Sequence, residues 1–124
     1  MIQPKKCNGI VLLVQDFDES MAWYKEHFGF QRIYGTPQGV VIGNDHVEIV
    51  LAQVDNESAQ HVELAKKIGI KSFGFEITRD ELIRVEAEFP ELDNVDKREH
   101  PRFQSRIITD PDGHLIELYV KKRV

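Results

Sequence analysis

The chain has 124 residues, a formal net charge of -5 and a hydrophobic fraction of 41%, which fit one folded domain with a real core and argue against disorder. The acidic balance excludes a nucleic-acid partner, because phosphates demand a basic surface. The longest apolar run, Ile10 to Val14, is too short to span a membrane. Cys7 is the only cysteine, which excludes an intrachain disulfide and favours a reducing, cytoplasmic location.

The first half predicts the element order β-α-β-β-β. Gly9 to Gln15 is rich in Val and Leu and predicts a strand buried on both faces. Asp16 and Glu19 have the spacing of a helix-capping pair, and Gly29 is a suitable helix end. Between them runs one apolar helical stripe: Phe17, Met21, Tyr24 and Phe28. Three strands are predicted next: Gln31 to Gly35, Val40 to Gly43 and His46 to Val54.

The same order returns in the second half. A strand is predicted from Ser72 to Thr78, and a helix from Asp80 to Phe89 that Pro90 ends. Three strands complete it: Val95 to Arg98, Phe103 to Thr109 and His114 to Lys121. We therefore predict an α+β fold in a single domain, residues 1–124, built from two tandem βαβββ modules. The modules cover residues 5–54 and 70–124, and residues 55–69 form a linker with a short helix.

Each half ends in a strand that carries a glutamate after a tight turn. Glu48 follows the turn at 43–45, and Glu117 follows the turn at 110–113. Duplicated modules place equivalent positions around a shared axis, so the two carboxylates are expected at matching depths and close together. Converging carboxylates need a compensating group or a function. The alternative is that both are exposed, or that they pair with Arg106 or Arg32.

Two sets of motifs resemble a known family. Val14-Gln15-Asp16, Ser20, Trp23-Tyr24 and Phe28-Gly29-Phe30 look like the opening of the vicinal oxygen chelate superfamily, which includes glyoxalase I, bleomycin resistance proteins and extradiol dioxygenases. The turn Asp110-Pro111-Asp112-Gly113, leading to Ile116-Glu117-Leu118, is similar to its closing motif. The resemblance implies two modules whose curled sheets form a half-open barrel around a cavity, within a homodimer.

Catalytic members of that superfamily typically hold a divalent metal at four positions, one on the first and one on the last strand of each module. The resemblance places these positions at Gly9, Glu48, Ser72 and Glu117. Glycine and serine are not usual ligands, and two carboxylates hold Mg²⁺ or Mn²⁺ only when water or substrate fills the remaining sites. We therefore predict no cofactor, no metal ligand and no catalytic residue. The alternative is a divalent cation at Glu48 and Glu117.

Strand alternation predicts which side chains face the cavity, because residues two apart share a face. By this alternation Gly74 and Leu115 also face the cavity, beside the predicted ligand-binding residues. Arg102 and Arg106, interpreted as lying on the penultimate strand, could reach an anionic group or form a solvated edge. Lys121-Lys122-Arg123 is interpreted as a solvated tail. The predicted ligand-binding residues are Val11, Leu13, Glu48, Val50, Ser72, Glu76, Arg106, Glu117 and Tyr119.

These observations favour a binding protein without metal. It would hold a small organic molecule between apolar walls, and the acidic belt favours a cationic one. The first alternative is a divalent-metal-dependent lyase, isomerase or dioxygenase, so whether the chain is an enzyme stays open. A second alternative is a regulatory module with a vestigial cavity, for which the segment from His61 to Lys67 would contact a protein partner.

Overall fold

The computed structural model describes residues 1–5, 10–36, 39–53, 72–90 and 97–122. The chain divides into two compact units, Met1–Ile68 and Gly69–Val124. Each unit has the element order β-α-β-β-β, which confirms the predicted α+β fold of two tandem modules. The predicted linker helix, within 55–69, lies outside the described residues.

The first unit is one four-stranded sheet and one helix. The helix α1 spans Phe17–Phe28, and the sheet has the order β1-β4-β3-β2. β1 runs parallel to β4, and the other neighbouring strands are antiparallel. The strands are β1 Ile10–Val14, β2 Gln31–Thr36, β3 Gly39–Gly43 and β4 Glu48–Gln53.

Local chemistry sets both ends of α1. The Asp16 carboxylate accepts hydrogen bonds from the backbone N–H groups of Asp18 and Glu19, which otherwise have no partner in the first turn. Gly29 ends the helix in the left-handed region, with φ 67°, and donates its N–H to the Lys25 carbonyl. Tyr24 is fully buried and stacks 6.2 Å from Phe30. The predicted helix is therefore confirmed, and of its predicted stripe Tyr24 is buried while Phe17, Met21 and Phe28 are half-buried.

The second unit repeats this plan. Its helix α2 spans Arg79–Glu88, and its sheet has the order β5-β8-β7-β6, again with a parallel first pair. Thr78 and Glu81 form a capping box at the start of α2. The backbone N–H of Thr78, with its hydroxyl, donates to Glu81 and lowers the pKa of that carboxyl. The strands are β5 Phe73–Glu76, β6 Lys97–Glu99, β7 Phe103–Thr109 and β8 Leu115–Lys121.

On the last strand of each unit one face is buried and the other is partly accessible. Along β4, Ile49 and Leu51 are buried while Glu48 and Val50 are only half-buried. Along β8 the buried residues are Ile116, Leu118 and Val120. α1 contacts β4 and α2 contacts β8. The alternation follows from a helix covering one face of each sheet.

Two predicted features differ from the structure. β1 is buried on one face only, since Val11 on the other face is 61% exposed. The two glutamates also differ in depth. Glu48 is the first residue of β4, directly beyond the turn, whereas Glu117 is the third residue of β8. Among the helices that the structure describes, none has the length and apolar character needed to cross a bilayer.

Candidate functional site

The accessible face of the second sheet carries Glu117. Its neighbours on β8 that share this face are Leu115 and Tyr119, because Ile116 and Leu118 point to the buried face. β5 runs beside β8, with Gly74 paired to Glu117 and Glu76 paired to Tyr119. Three of the predicted ligand-binding residues, Glu76, Glu117 and Tyr119, therefore lie together on one face.

A cavity of about 740 Å³ opens on this face. A cavity of this size suits a small organic molecule. Gly74 leaves space in the cavity because it has no side chain. A Cβ at this position would lie 3.2 Å from the Glu117 carbonyl oxygen and 3.7 Å from the Tyr119 ring. The predicted residues Ser72, Glu117 and Tyr119 all line it. The described residues that line it are Ser72, Phe73, Gly74, Arg102, Phe103, Glu117, Tyr119, Lys121 and Lys122.

Aromatic rings form the apolar part of the cavity. Phe103 and Tyr119 both line it, with ring centroids 5.9 Å apart. His100 stacks on Phe103 with a centroid distance of 4.4 Å and an interplanar angle of 13°. Ser105 is fully buried and pairs with Tyr119 across the strands, so its side chain shares this face. The cavity therefore offers flat apolar surfaces next to a carboxylate.

A tight turn places Arg102 at the end of the cavity where β8 finishes. The backbone N–H of Arg102 donates to His100 Nδ1 at 3.1 Å, and the N–H of His100 donates to the Phe103 carbonyl at 3.0 Å. The N–H of Lys122 donates to the Arg102 carbonyl at 2.8 Å. These bonds hold the turn against the last residues of β8.

The structure separates Arg102 from Arg106. Arg106 pairs with Leu118 across β7 and β8, so its side chain points to the buried face. That side chain is 7% exposed, and its Nε lies 3.9 Å from Glu86 Oε1 of α2. Arg106, predicted as a ligand-binding residue, thus lies on the face opposite Glu117 and Tyr119. It also does not supply the pairing that the sequence offered as an alternative for Glu117.

The other predicted residues lie in the first unit. Val50 and Glu48 alternate with the buried Ile49 and Leu51 along β4, and Val50 pairs with Val11 of β1. Leu13 is two residues from Val11 and shares its face. The structure therefore brings Val11, Leu13, Glu48 and Val50 together on the accessible face of the first sheet.

Sequence reasoning missed several lining residues of the second unit. Lys121 and Lys122 were interpreted as part of a solvated tail, yet both line the cavity. Phe103 was treated only as a strand residue. Its pairing with Lys121 puts it on the accessible face. The register of the β7–β8 hairpin could have identified these residues from the sequence, because it sets which residues of the two strands lie side by side.

That hairpin closes on a buried carboxylate. The Asp110 side chain is fully buried, and its Oδ1 accepts hydrogen bonds from the N–H of Asp112 at 3.0 Å and of His114 at 2.9 Å. Its Oδ2 lies 2.7 Å from His114 Nδ1. Gly113 adopts φ 85°, which a side chain would strain. The first unit closes the same way, with Asn44 Oδ1 accepting from the N–H of His46 and of Val47.

This hydrogen bond changes the titration of His114. The side-chain bond to Asp110 raises the pKa of His114 against the opposing effect of burial, and the charges of Asp110 and Asp112 add to the rise. The charged imidazolium thus compensates a carboxylate that has lost its water. β8 begins at Leu115, so His114, predicted as the first residue of that strand, lies just before it.

Asp110, Asp112 and His114 also form a group whose potential metal-ligand atoms lie within 4.8 Å of one another. Both oxygens of Asp110 already accept hydrogen bonds within the turn, and the Nδ1 of His114 is engaged by one of them. A metal ion would have to displace these bonds. The hairpin accounts for the arrangement without one.

The cavity itself has few donors for a divalent metal. Among the described residues that line it, Glu117 supplies the only carboxylate and Ser72 the only hydroxyl other than that of Tyr119. No imidazole lines it, and the neighbouring cations disfavour a further positive charge. The lining of this unit alone therefore does not fit a resident divalent ion.

Comparison with known proteins agrees with the resemblance seen in the sequence. The family model of the Glyoxalase/Bleomycin resistance protein/Dioxygenase superfamily matches residues 6–118. The chain has no match among curated protein sequences.

Solved structures share the fold at low identity. Lactoylglutathione lyase from Agrobacterium tumefaciens is 20% identical, with 95% of each chain covered and a TM-score of 0.71. A glyoxylase/bleomycin resistance protein/dioxygenase domain from Frankia sp. EAN1pec is 16% identical, with 97% of this chain and 100% of that chain covered and a TM-score of 0.74. A family enzyme from Burkholderia phytofirmans PsJN is 17% identical, with 91% and 96% covered and a TM-score of 0.67.

The Asp110 carboxylate is expected to be a major source of stability. Asp110→Ala leaves two backbone N–H groups of the turn and the His114 ring without their acceptor, so the free energy of unfolding should fall by about 3 kcal/mol. Urea unfolding followed by circular dichroism measures this loss. Asp45→Ala, at an exposed turn position of the first unit, is the control and should stay within about 0.5 kcal/mol of the parent. Equal effects of the two substitutions would contradict this account.

Stability should also depend on pH through His114. Because the folded pKa of His114 lies above its ordinary value of 6.5, its contribution is complete below that value and is lost as pH rises through the folded pKa. As pH rises from 6.5 through the folded pKa of His114, the free energy of unfolding of the parent protein should therefore fall relative to that of His114→Gln. Urea unfolding at a series of pH values tests the difference. A His114→Gln variant with the same pH dependence as the parent would show that the Asp110 bond does not favour the imidazolium.

Proposed function

The chain belongs to the Glyoxalase/Bleomycin resistance protein/Dioxygenase superfamily, and from that premise we propose that it binds a small organic molecule in the cavity of its second unit, without a resident metal. The observation that carries this proposal is the cavity of about 740 Å³ in which Glu117, Phe103 and Tyr119 line one space. The proposed activity is recognition of the molecule, with no chemical change to it.

Binding would draw on two kinds of contact. A planar group lies against the Phe103 and Tyr119 rings, where burial of apolar surface supplies most of the affinity. The Glu117 carboxylate accepts a hydrogen bond from an N–H or O–H group of the molecule, which fixes its orientation. Gly74 keeps space free beside both groups. The donor set supports a role without metal, since the lining residues that the structure describes offer a single carboxylate and no imidazole.

The aromatic contact can be tested with a neutral probe, 2-naphthamide, by isothermal titration calorimetry. The parent protein should bind it saturably, and Tyr119→Ala should weaken the affinity about tenfold, because it removes one of the aromatic rings that line the cavity. Ile83→Ala, which truncates an exposed apolar residue of α2 outside the cavity lining, should leave the affinity unchanged. Absence of saturable binding, or an equal loss in both variants, would contradict the proposal.

A divalent-metal-dependent lyase, isomerase or dioxygenase is the second candidate function. It is favoured by Glu48 and Glu117, which each lie half-buried on the accessible face of the last strand of their unit. The fold is also similar to that of lactoylglutathione lyase from Agrobacterium tumefaciens. In this case the cation would be held by a carboxylate and by oxygen atoms of the substrate, and would act as a Lewis acid.

Metal analysis separates the two functions. Protein purified without chelator, then dialysed against Mg²⁺ or Mn²⁺ and rinsed, should retain much less than one divalent ion per chain by plasma mass spectrometry, since the described lining offers a single carboxylate to these oxygen-preferring ions. Glu117→Gln and Glu48→Gln serve as matched variants. A stoichiometric ion in the parent that disappears in either variant would establish the metal-dependent function in place of simple binding.

A further inference from the structure

We infer that the molecule bound in the second unit is an aromatic organic anion, with its negative group directed to Arg102. The inference rests on the proposed function, because it names the class of molecule that the same cavity takes. It reverses the sign of charge that the sequence favoured, since a cationic molecule was expected from the acidic belt.

The first argument is the charge of the lining. Among the described residues, three cationic side chains line the cavity, Arg102, Lys121 and Lys122, against one carboxylate, Glu117. The chain as a whole carries a formal net charge of -5, so this local excess of positive charge runs against its overall balance. Cations that gather around an apolar cavity raise the local concentration of anions and stabilise them once bound.

The second argument is that Arg102 has no carboxylate partner among the residues that the structure describes. Lys121 differs, because its Nζ lies 3.4 Å from Glu76 Oε2 and part of its charge is compensated. Backbone hydrogen bonds hold the turn that contains Arg102 against the end of β8, so the backbone from which this side chain extends has a defined position. Its planar donor groups match a carboxylate or sulfonate better than a lysine does.

The third argument is the layout along β8. Glu117 and Lys121 are four residues apart on one strand, which corresponds to about 13 Å. Tyr119 lies midway between them, and Phe103 pairs with Lys121. A ring placed against Tyr119 and Phe103 therefore has the Glu117 carboxylate on one side and the basic end of the strand on the other. An anionic substituent is best placed at the Arg102 end, and a hydrogen-bond donor at the Glu117 end.

The test uses three probes that share one ring system and differ in charge: 2-naphthoate, 2-naphthamide and 2-naphthylmethylammonium. Titration calorimetry near neutral pH should give the tightest binding for the anion and the weakest for the cation. Arg102→Gln should weaken 2-naphthoate about tenfold and 2-naphthamide much less, because the charge-assisted contact is made only with the anion. The matched control is Arg84→Gln, which neutralises an exposed arginine of α2 outside the cavity lining and should change neither affinity.

The outcomes separate this inference from the function on which it rests. If 2-naphthamide binds and Tyr119→Ala weakens it, while 2-naphthoate binds no more tightly and is insensitive to Arg102→Gln, the inference is overturned and the binding function stands. Tightest binding of the ammonium probe would overturn the inference in the same way. If no probe shows saturable binding, the binding function fails and the inference fails with it.

Discussion

The register of β8 is the constraint on which the cavity depends. Ile116, Leu118 and Val120 must point to the buried face that α2 contacts, and each contributes about 1.5–3 kcal/mol when removed from water. Because successive side chains of a strand point to opposite faces, Glu117 and Tyr119 must then point to the accessible face. A slip of one residue would place Glu117 on the buried face and expose the three apolar side chains. A buried carboxylate without compensation is costly enough to exclude that arrangement. Asp110 closes the hairpin from which β8 starts, and so fixes where the alternation begins.

In each unit one side chain accepts two backbone N–H groups of the hairpin turn, but the chemistry of that side chain differs between the units. In the first, the exposed Asn44 accepts two backbone N–H groups through a neutral amide, which carries no charge to compensate. In the second, Asp110 does so through a carboxylate that is withdrawn from water, and the His114 ring supplies the opposite charge. The second solution is stronger because charge-assisted hydrogen bonds exceed neutral ones. As a consequence, the stability of the hairpin that leads into β8 depends on pH, whereas the Asn44 amide does not titrate.

The sequence predicted those features that local chemistry decides. The helix ends at Asp16 and Gly29 follow from capping, and the order β-α-β-β-β follows from periodicity and turn residues, so the fold class and the family resemblance were both confirmed. Glu117 and Tyr119 were placed on one face because alternation along a strand is a local rule. Arg102 could not be placed in this way. It precedes β7 in a turn and is not on the penultimate strand as predicted, so strand alternation does not fix its position. The bond between Asp110 and His114 depends on burial, which a sequence alone does not reveal.

A carboxylate and several cations around one apolar space would tend to neutralise each other if they were in contact. Their separation along β8 prevents this, because Tyr119 stands between Glu117 and the basic end of the strand. Glu117 and Arg102 can therefore contact different groups of one bound molecule. A simple cation is drawn to Glu117 but repelled by Arg102, and an uncharged ring leaves the guanidinium without a partner in the cavity. Specificity is the difference between such affinities, so the layout favours a molecule that carries a donor and an anionic group on opposite sides of a ring. The fold supplies the apolar space, and the residues at the two ends of β8 decide what enters it.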